Sequence, residues 1–401
     1  MSTFAWLDFT DTERDRALEL IALFRDRDTV DELGVLSIWE AIADQLLPGL
    51  STIQTRARYF FFVPWIYQRL EKDRFEGAEF RGEARKREIK LIDHLLESDD
   101  IQGTIGQLSR ATLKRLPSAI YWSGLGILGF RKFDGGQARY FRALRRLYIA
   151  KDQARPRTDG DELVETVPRM WPPTLPLPPK GFPTGASHAL TRVEAEFFRD
   201  RVIQSAPNSL FAFLLDRGEV PPPSDFPWEV PGLTSASPRL VEILEHARAF
   251  SEVMHGAQLT YNLMLAEKRA HKEWTSEYRE LLAAWASLMK ARRTEHKAWD
   301  RSHFWSIVAR AGRLVPMQTR LFVDLWIGLA LGIDPKAVPD RPEVRKLIEE
   351  RERLLKREQA RLSNQRALET WGGAAGTRQF EYRWSRPGHR IVSDILLGLT
   401  A

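Results

Sequence analysis

Apolar residues recur at three- and four-residue intervals along most of the chain, and alternating apolar and polar runs are scarce. This period is that of amphipathic helices, so the sequence predicts an all-α fold. The predicted helices cover about 10–24, 38–47, 51–67, 81–96, 139–150, 191–205, 209–216, 301–312, 317–331, 342–362 and 389–397, with one long or two consecutive helices over 238–289. Residues 379–384 are the only strand candidate, so we expect at most a small β-hairpin near the C-terminus.

Prolines accumulate in two places, over residues 156–183 and over 221–231. Proline removes a backbone donor and favours extended chain, so the first cluster is typical of a surface linker. The sequence therefore predicts an N-terminal helical domain at 1–155, a Pro-rich linker at 156–188 and a C-terminal helical bundle at 189–401.

Length and composition fit a folded protein of two domains, with 401 residues, 43% hydrophobic and 28% charged. The chain has no cysteine, which excludes disulfides and thiolate metal sites and favours a reducing, cytoplasmic location. The N-terminus lacks the basic and apolar regions of a secretory signal. The most apolar stretch, 321–333, is too short to span a membrane and contains Asp324, so no membrane partner is expected.

Charge is distributed unevenly, although the net charge of the whole chain is only +6. Residues 1–50 carry eleven acids and four arginines, net −7, whereas 104–155 carry eleven bases and two acids, net +9. Residues 341–390 carry thirteen bases and seven acids, net +6. DNA or RNA phosphate would supply the counter-charge that 104–155 lacks; alternatively, the acidic N-terminal segment folds against it.

The candidate phosphate contacts are the bases of the first region: Arg110, Lys114, Arg115, Arg131, Lys132, Arg139, Arg142, Arg145 and Arg146. A weaker second surface comprises Arg345, Lys346, Arg353, Lys356 and Arg357, where alternating acids and bases also fit a solvated, salt-bridged helix. Four aromatic residues interleave with the first set as possible stacking groups: Tyr121, Trp122, Tyr140 and Tyr148.

Residues 105–116, followed by a helix from Pro117, resemble a helix-turn-helix. Glycines make the second element an awkward recognition helix, because glycine disfavours helical backbone. The alternative is a packed hairpin in which Gly124, Gly126 and Gly129 allow close approach.

Chemistry-bearing motifs are missing: the sequence has no phosphate-binding loop, no His-Glu-x-x-His and no Gly-x-Ser-x-Gly elbow. We therefore expect no catalytic residue, no cofactor and no metal. The closest cluster is Glu295, His296, Asp300 and His303, which would share one face of a continuous helix; the alternative is a polar face with ordinary ion pairs.

Arg56 and Arg58 directly precede the apolar stretch 59–67. Such arginines are either buried in ion pairs or ligands of an anion, and Asp8, Glu40 and Asp44 are the expected partners for pairing.

Several segments resemble an uncharacterised bacterial family, a domain of unknown function. They are FAWLDF at 4–9, GLSTIQTRARYF at 49–60, RLPSAIYWSGL at 115–125, ARLSN at 360–364, WGG at 371–373 and YRW at 382–384. The resemblance covers nearly the whole chain. It implies a place in anti-phage defence islands, beside helicase and phospholipase-D-like nuclease genes, but it carries over no catalytic residue.

Residues and resemblance together predict a non-catalytic nucleic-acid-binding or scaffolding subunit of a bacterial antiviral defence system. DNA is the first expected partner, with a helicase or nuclease as the protein partner, and the oligomeric state stays open. The alternative is a protein–protein interaction adaptor that makes no contact with nucleic acid. A third class is an enzyme whose site is assembled from distant acids.

Overall fold

The computed structural model describes residues 31–153 and 169–401, and over those ranges the chain is all-α, without a strand. The predicted fold class is confirmed. The helices are α1 (Leu36–Leu46), α2 (Tyr59–Lys72), α3 (Gly77–Leu96), α4 (Pro117–Ile127), α5 (Gln137–Gln153), α6 (Arg192–Ser205), α7 (Leu210–Arg217), α8 (Pro238–Lys268), α9 (Lys272–Ala291), α10 (Arg293–Ala298), α11 (Arg301–Arg310), α12 (Met317–Gly332), α13 (Pro342–Lys356), α14 (Gln365–Glu369) and α15 (His389–Leu399). The helix predicted at 10–24 lies outside the described residues. None of the described helices has the length and apolar character needed to cross a membrane.

Most predicted helices form, and several begin at the expected capping residue. The side chain of Ser209 accepts a hydrogen bond at the start of α7, and that of Thr191 does so at the start of α6. The long predicted segment 238–289 is two helices, α8 and α9. Two predictions were too long: α2 begins only at Tyr59, and α13 ends at Lys356.

The chain forms two compact units. The described parts of the first unit are residues 47–153, 169–225 and 383–401, and those of the second are 31–46 and 226–382. These units differ from the predicted boundaries at 155 and 188, because α6, α7 and α15 belong with the N-terminal helices. Contacts between residues far apart in sequence decide this grouping.

The core of the first unit is built around α2, whose first nine residues are all buried. Phe60 packs edge-on against Phe198 of α6, with ring centroids 4.9 Å apart. The described part of the Pro-rich segment packs here as well: Trp171 donates to Glu71 at 2.6 Å, and Trp65 donates to the Pro176 carbonyl at 2.7 Å. Buried aromatic rings therefore hold that part of the segment on the unit.

The second unit is organised around α8, a 31-residue helix that is buried on most of its sides. Helix α9 folds back along α8, and Gly256 makes the close approach possible, because a Cβ there would lie 2.3 Å from the Trp285 ring. Trp285 and Trp326 donate their indole N–H groups to the carbonyls of Glu252 and Val253, each at 2.9 Å. These bonds satisfy buried donors that would otherwise be costly.

Residues 379–384, the strand candidate, do not form a strand. Their aromatic rings pack on α8 instead: Phe380 stacks on Phe250 at 5.8 Å, and the Tyr382 hydroxyl donates to the Ala247 carbonyl at 2.8 Å. The Phe380 carbonyl accepts from Ser251 at 2.8 Å. Helix α8 takes the place of a second strand as the hydrogen-bond partner, through the Ser251 side chain and the Ala247 carbonyl, so the alternation in the sequence was misleading.

Candidate nucleic-acid interface

Helix α5 carries a row of exposed arginines along one face. Arg139, Arg142 and Arg146 have the i, i+3, i+7 spacing that aligns side chains on a helix, and Arg145 flanks them. The side chains on the opposite face are buried: Tyr140, Leu144, Leu147 and Tyr148. The amphipathic period of the sequence thus presents the guanidinium groups to solvent as one strip.

Buried hydrogen bonds fix the orientation of this helix. The Tyr140 hydroxyl donates to the carboxylate of Glu71, and the Tyr148 hydroxyl donates to the Phe75 carbonyl at 2.6 Å. Burial, and then the neighbouring Glu71 charge, raise the pKa of Tyr140 well above its usual value, so the phenol stays a donor. A rotation of α5 that hid the arginines would break these bonds.

The stacking role predicted for the four interleaved aromatic residues is wrong. Tyr121, Trp122, Tyr140 and Tyr148 are all buried. Tyr121 donates to the Arg56 carbonyl at 2.9 Å, and Trp122 packs edge-on against Tyr140 with centroids 5.2 Å apart. These rings form the support of the basic surface, since an aromatic residue between basic ones on an amphipathic helix points inward.

The predicted helix-turn-helix is also absent. Residues 105–116 form turns with a single 3₁₀ turn at Arg110–Thr112, so only the second helix of the motif, α4, exists. The close approach that the sequence offered as the alternative is present at Gly124. A Cβ at this position would lie 2.2 Å from the Gly49 carbonyl oxygen. Glycine is required at that position because the backbone of another segment occupies the space of a side chain.

The other predicted phosphate contacts are scattered over the loops around α4. Arg110 is exposed but pairs with Asp93 at 3.1 Å. Arg131 is half-buried, lies 4.6 Å above the Trp122 ring and donates to the Phe133 carbonyl, so it has a structural role. The remaining three lie on the loops outside α5, with Lys114 and Lys132 exposed and Arg115 half-buried. The structure brings together only the four arginines of α5.

The described acids of the N-terminal segment find their partners within the second unit. Glu40 and Asp44 both pair with Arg313, the latter at 2.6 Å. Glu32 pairs with Lys356 and with Arg361, and Asp31 accepts from the backbone at the start of α1. These four acids therefore do not neutralise residues 104–153; acids within 1–30 lie outside the described residues.

The weaker second surface is largely neutralised internally. Arg345 pairs with Glu267 at 2.6 Å, Lys356 pairs with Glu32 and Glu352, and Lys346 lies 3.9 Å from Glu350. Arg353 and Arg357 remain exposed. The pairs of Lys346 and Lys356 with Glu350 and Glu352 have the helical spacing that the sequence predicted, whereas Glu267 and Glu32 come from other segments.

Arg56 and Arg58 are buried in ion pairs, which confirms one of the two interpretations. Arg56 bonds to Asp394 at 2.9 Å and to Asp100 at 2.6 Å, and Arg58 bonds to Glu194 at 2.9 Å. The partners differ from the predicted Asp8, Glu40 and Asp44. They come from distant segments of the chain, which no local pattern identifies.

The predicted cation cluster does not assemble. His296 is buried and bonds to Glu252 at 2.7 Å, whereas Asp300 caps α11 by accepting from the His303 backbone. The chain leaves the helical path between α10 and α11, so the residues do not share one face. Within 31–153 and 169–401, no group of three or more histidine and carboxylate side chains is placed to hold a metal ion.

Comparisons with known proteins give one family and nothing further. Residues 1–395 match the model of a family of unknown function, DUF6361, so the chain belongs to that family. No curated protein and no solved structure matches the chain. The resemblance noted in the sequence to an uncharacterised family is confirmed at this level.

Proposed function

We propose that this protein is a non-catalytic nucleic-acid-binding subunit whose α5 arginine face contacts the phosphate backbone. The resemblance of the sequence adds the context: an accessory role in bacterial antiviral defence, beside a helicase or nuclease partner. The α5 arginine face is defined as Arg139, Arg142, Arg145 and Arg146.

One observation carries the proposal. Among the described residues, no carboxylate pairs with Arg139, Arg145 or Arg146. Arg139, Arg145 and Arg146 are like charges within two turns of one helix, so they repel one another, and no carboxylate lies between them in the sequence. A polyanion would relieve this repulsion and release counterions on binding.

Arginine suits this task better than lysine, because its planar guanidinium forms paired hydrogen bonds to phosphate oxygens. The helix holds the backbone of these residues on a buried support, so no backbone has to be ordered on binding. The arrangement can neutralise several consecutive phosphates, but it offers no nucleophile, acid or base for cleavage.

Charge reversal on α5 tests the proposal. The variant Arg139→Glu/Arg145→Glu/Arg146→Glu breaks no ion pair among the described residues, and glutamate is a good helix former. We expect at least a tenfold loss of affinity for labelled DNA or RNA in a fluorescence-anisotropy titration at low salt. Unchanged affinity in a variant with normal circular dichroism would remove the proposal.

A matched control makes the same charge change elsewhere. Lys290, Arg293 and Lys297 are exposed, lie in the second unit and have no ion pair among the described residues. Reversing all three to glutamate lowers the net charge equally but leaves α5 intact. This control should bind nearly as well as the unmodified protein; equal losses in both variants would indicate attraction by net charge alone.

A second candidate, the protein-interaction adaptor, is favoured by α12. Met317, Leu321 and Leu325 follow one face of that helix and are 68%, 54% and 57% exposed. Exposed apolar rows of this kind are typical of surfaces that contact other proteins. If no nucleic acid binds at low salt, the adaptor becomes the better account.

A further inference from the structure

We infer that the α5 arginine face takes the backbone of a nucleic-acid duplex, independently of sequence, and does not hold unpaired bases. The inference rests on the proposed function and specifies its ligand. Three features of the first unit carry it: the burial of its aromatic rings, the single open face of α5 and the spacing of the arginine row.

Single-strand binding without sequence preference depends on aromatic rings on which unpaired bases stack. Across residues 31–153 and 169–401, every aromatic side chain is buried or half-buried, and none is exposed. The rings nearest the arginines are already packed: Phe141 against Phe80 at 5.5 Å, and Phe133 against Tyr140 at 5.6 Å. The surface therefore supplies charge without a stacking platform.

Helix α5 also has only one open face, because its other face is packed into the first unit. A helix that reads bases must enter the major groove deeply enough for its side chains to reach base edges. Because one face of α5 is buried in the first unit, the helix cannot enter a groove deeply. It can lie against the rim of a groove, where its arginines contact phosphates. Contacts of this kind position a protein on a duplex but carry no sequence information.

The spacing of the row suits a rigid, regular polyanion. Arg139 and Arg146 are seven residues apart, which is about 10 Å along a helix axis. Phosphates on one strand of a duplex advance about 3.4 Å per step along its axis, so this span covers about three steps. A duplex keeps its phosphates at fixed positions, whereas a single strand must be ordered to match the row.

The test compares four ligands of equal length: duplex DNA, its single strand, duplex RNA and its single strand. We expect the DNA duplex, the RNA duplex or both to bind at least five times more tightly than their single strands. Two duplexes of unrelated sequence should bind within about twofold of each other. DNA and RNA duplexes share the phosphate backbone, so the arginine row alone does not predict which of them binds more tightly. The comparison of the two duplexes identifies the preferred one.

The outcomes separate this inference from the proposed function. If single strands bind as tightly as duplexes, and the α5 triple variant loses that binding, the inference is overturned and the proposed function stands. A strong preference for one duplex sequence would also overturn it, because backbone contacts cannot discriminate. If none of the four ligands binds, the proposed function itself fails.

Discussion

Glu88 provides a quantitative test of how the first unit is built. This residue of α3 is fully buried, and one carboxylate oxygen accepts from the Ser118 backbone at 2.8 Å, at the start of α4. The other oxygen has no hydrogen-bond partner. Burial raises the pKa of Glu88 to about 7, which means that the folded state favours the protonated form.

The sign of the pH effect follows from this shift. The pKa is about 7 in the folded state and 4.5 in the unfolded state, so between these values the folded protein binds more protons. Below pH 4.5 the carboxyl is protonated in both states and does not oppose folding. As the pH rises towards 7, the unfolded state ionises first, so the unfolding free energy of the protein falls. The difference between these two pKa values corresponds to about 3 kcal/mol of unfolding free energy.

The variant Glu88→Gln keeps the shape and the acceptor for Ser118 but cannot ionise. Measured by urea denaturation, its unfolding free energy relative to the unmodified protein should increase by about 3 kcal/mol between pH 4.5 and pH 8. Burying the glutamine amide changes the unfolding free energy by the same amount at both pH values. This contribution therefore cancels when the two differences are compared. Glu79→Gln, at an exposed position on the same helix, is the control for the substitution itself, because that side chain is not buried. A flat difference for Glu88→Gln would refute the burial argument.

Two further substitutions test the packing of each unit. Gly124→Ala places a methyl group 2.2 Å from the Gly49 carbonyl oxygen and should destabilise the protein by about 2 kcal/mol, whereas Gly82→Ala, with open space around it, should not; thermal unfolding distinguishes them. Glu252→Ala removes the carboxylate that buried His296 and two arginines share and should cost about 3–5 kcal/mol in urea denaturation. A loss below 1 kcal/mol would show that this cluster adds little to the second unit.

The sequence was a good guide wherever structure depends on nearby residues. The helical period located most helices, and capping residues such as Ser209 marked their starts. The burial of the apolar face of α5, and hence the exposure of its arginines, also follows from period alone. These features depend on contacts within a few residues, which the sequence displays directly.

Features that depend on distant contacts could not be predicted in this way. Asp394, nearly at the C-terminus, pairs with Arg56, and Glu194 pairs with Arg58. These pairs bring α6 and α15 into the first unit, so the proline cluster was a poor marker of where the units divide. The break between α10 and α11 likewise separated His296 from His303, although their spacing fits a continuous helix.

Salt dependence of duplex binding is the most direct test of the central claim. Each phosphate neutralised on duplex DNA contributes about 0.9 to the slope of log affinity against log salt. Contacts of Arg139, Arg145 and Arg146 with three phosphates would weaken binding roughly 40-fold between 50 and 200 mM salt.

The account predicts that the Arg139→Glu/Arg145→Glu/Arg146→Glu variant loses affinity and lowers this slope by about 3, because three contacts are removed. The control with Lys290, Arg293 and Lys297 reversed should keep the slope of the unmodified protein. An unchanged slope in the folded α5 variant would contradict the claim that this helix binds the phosphate backbone.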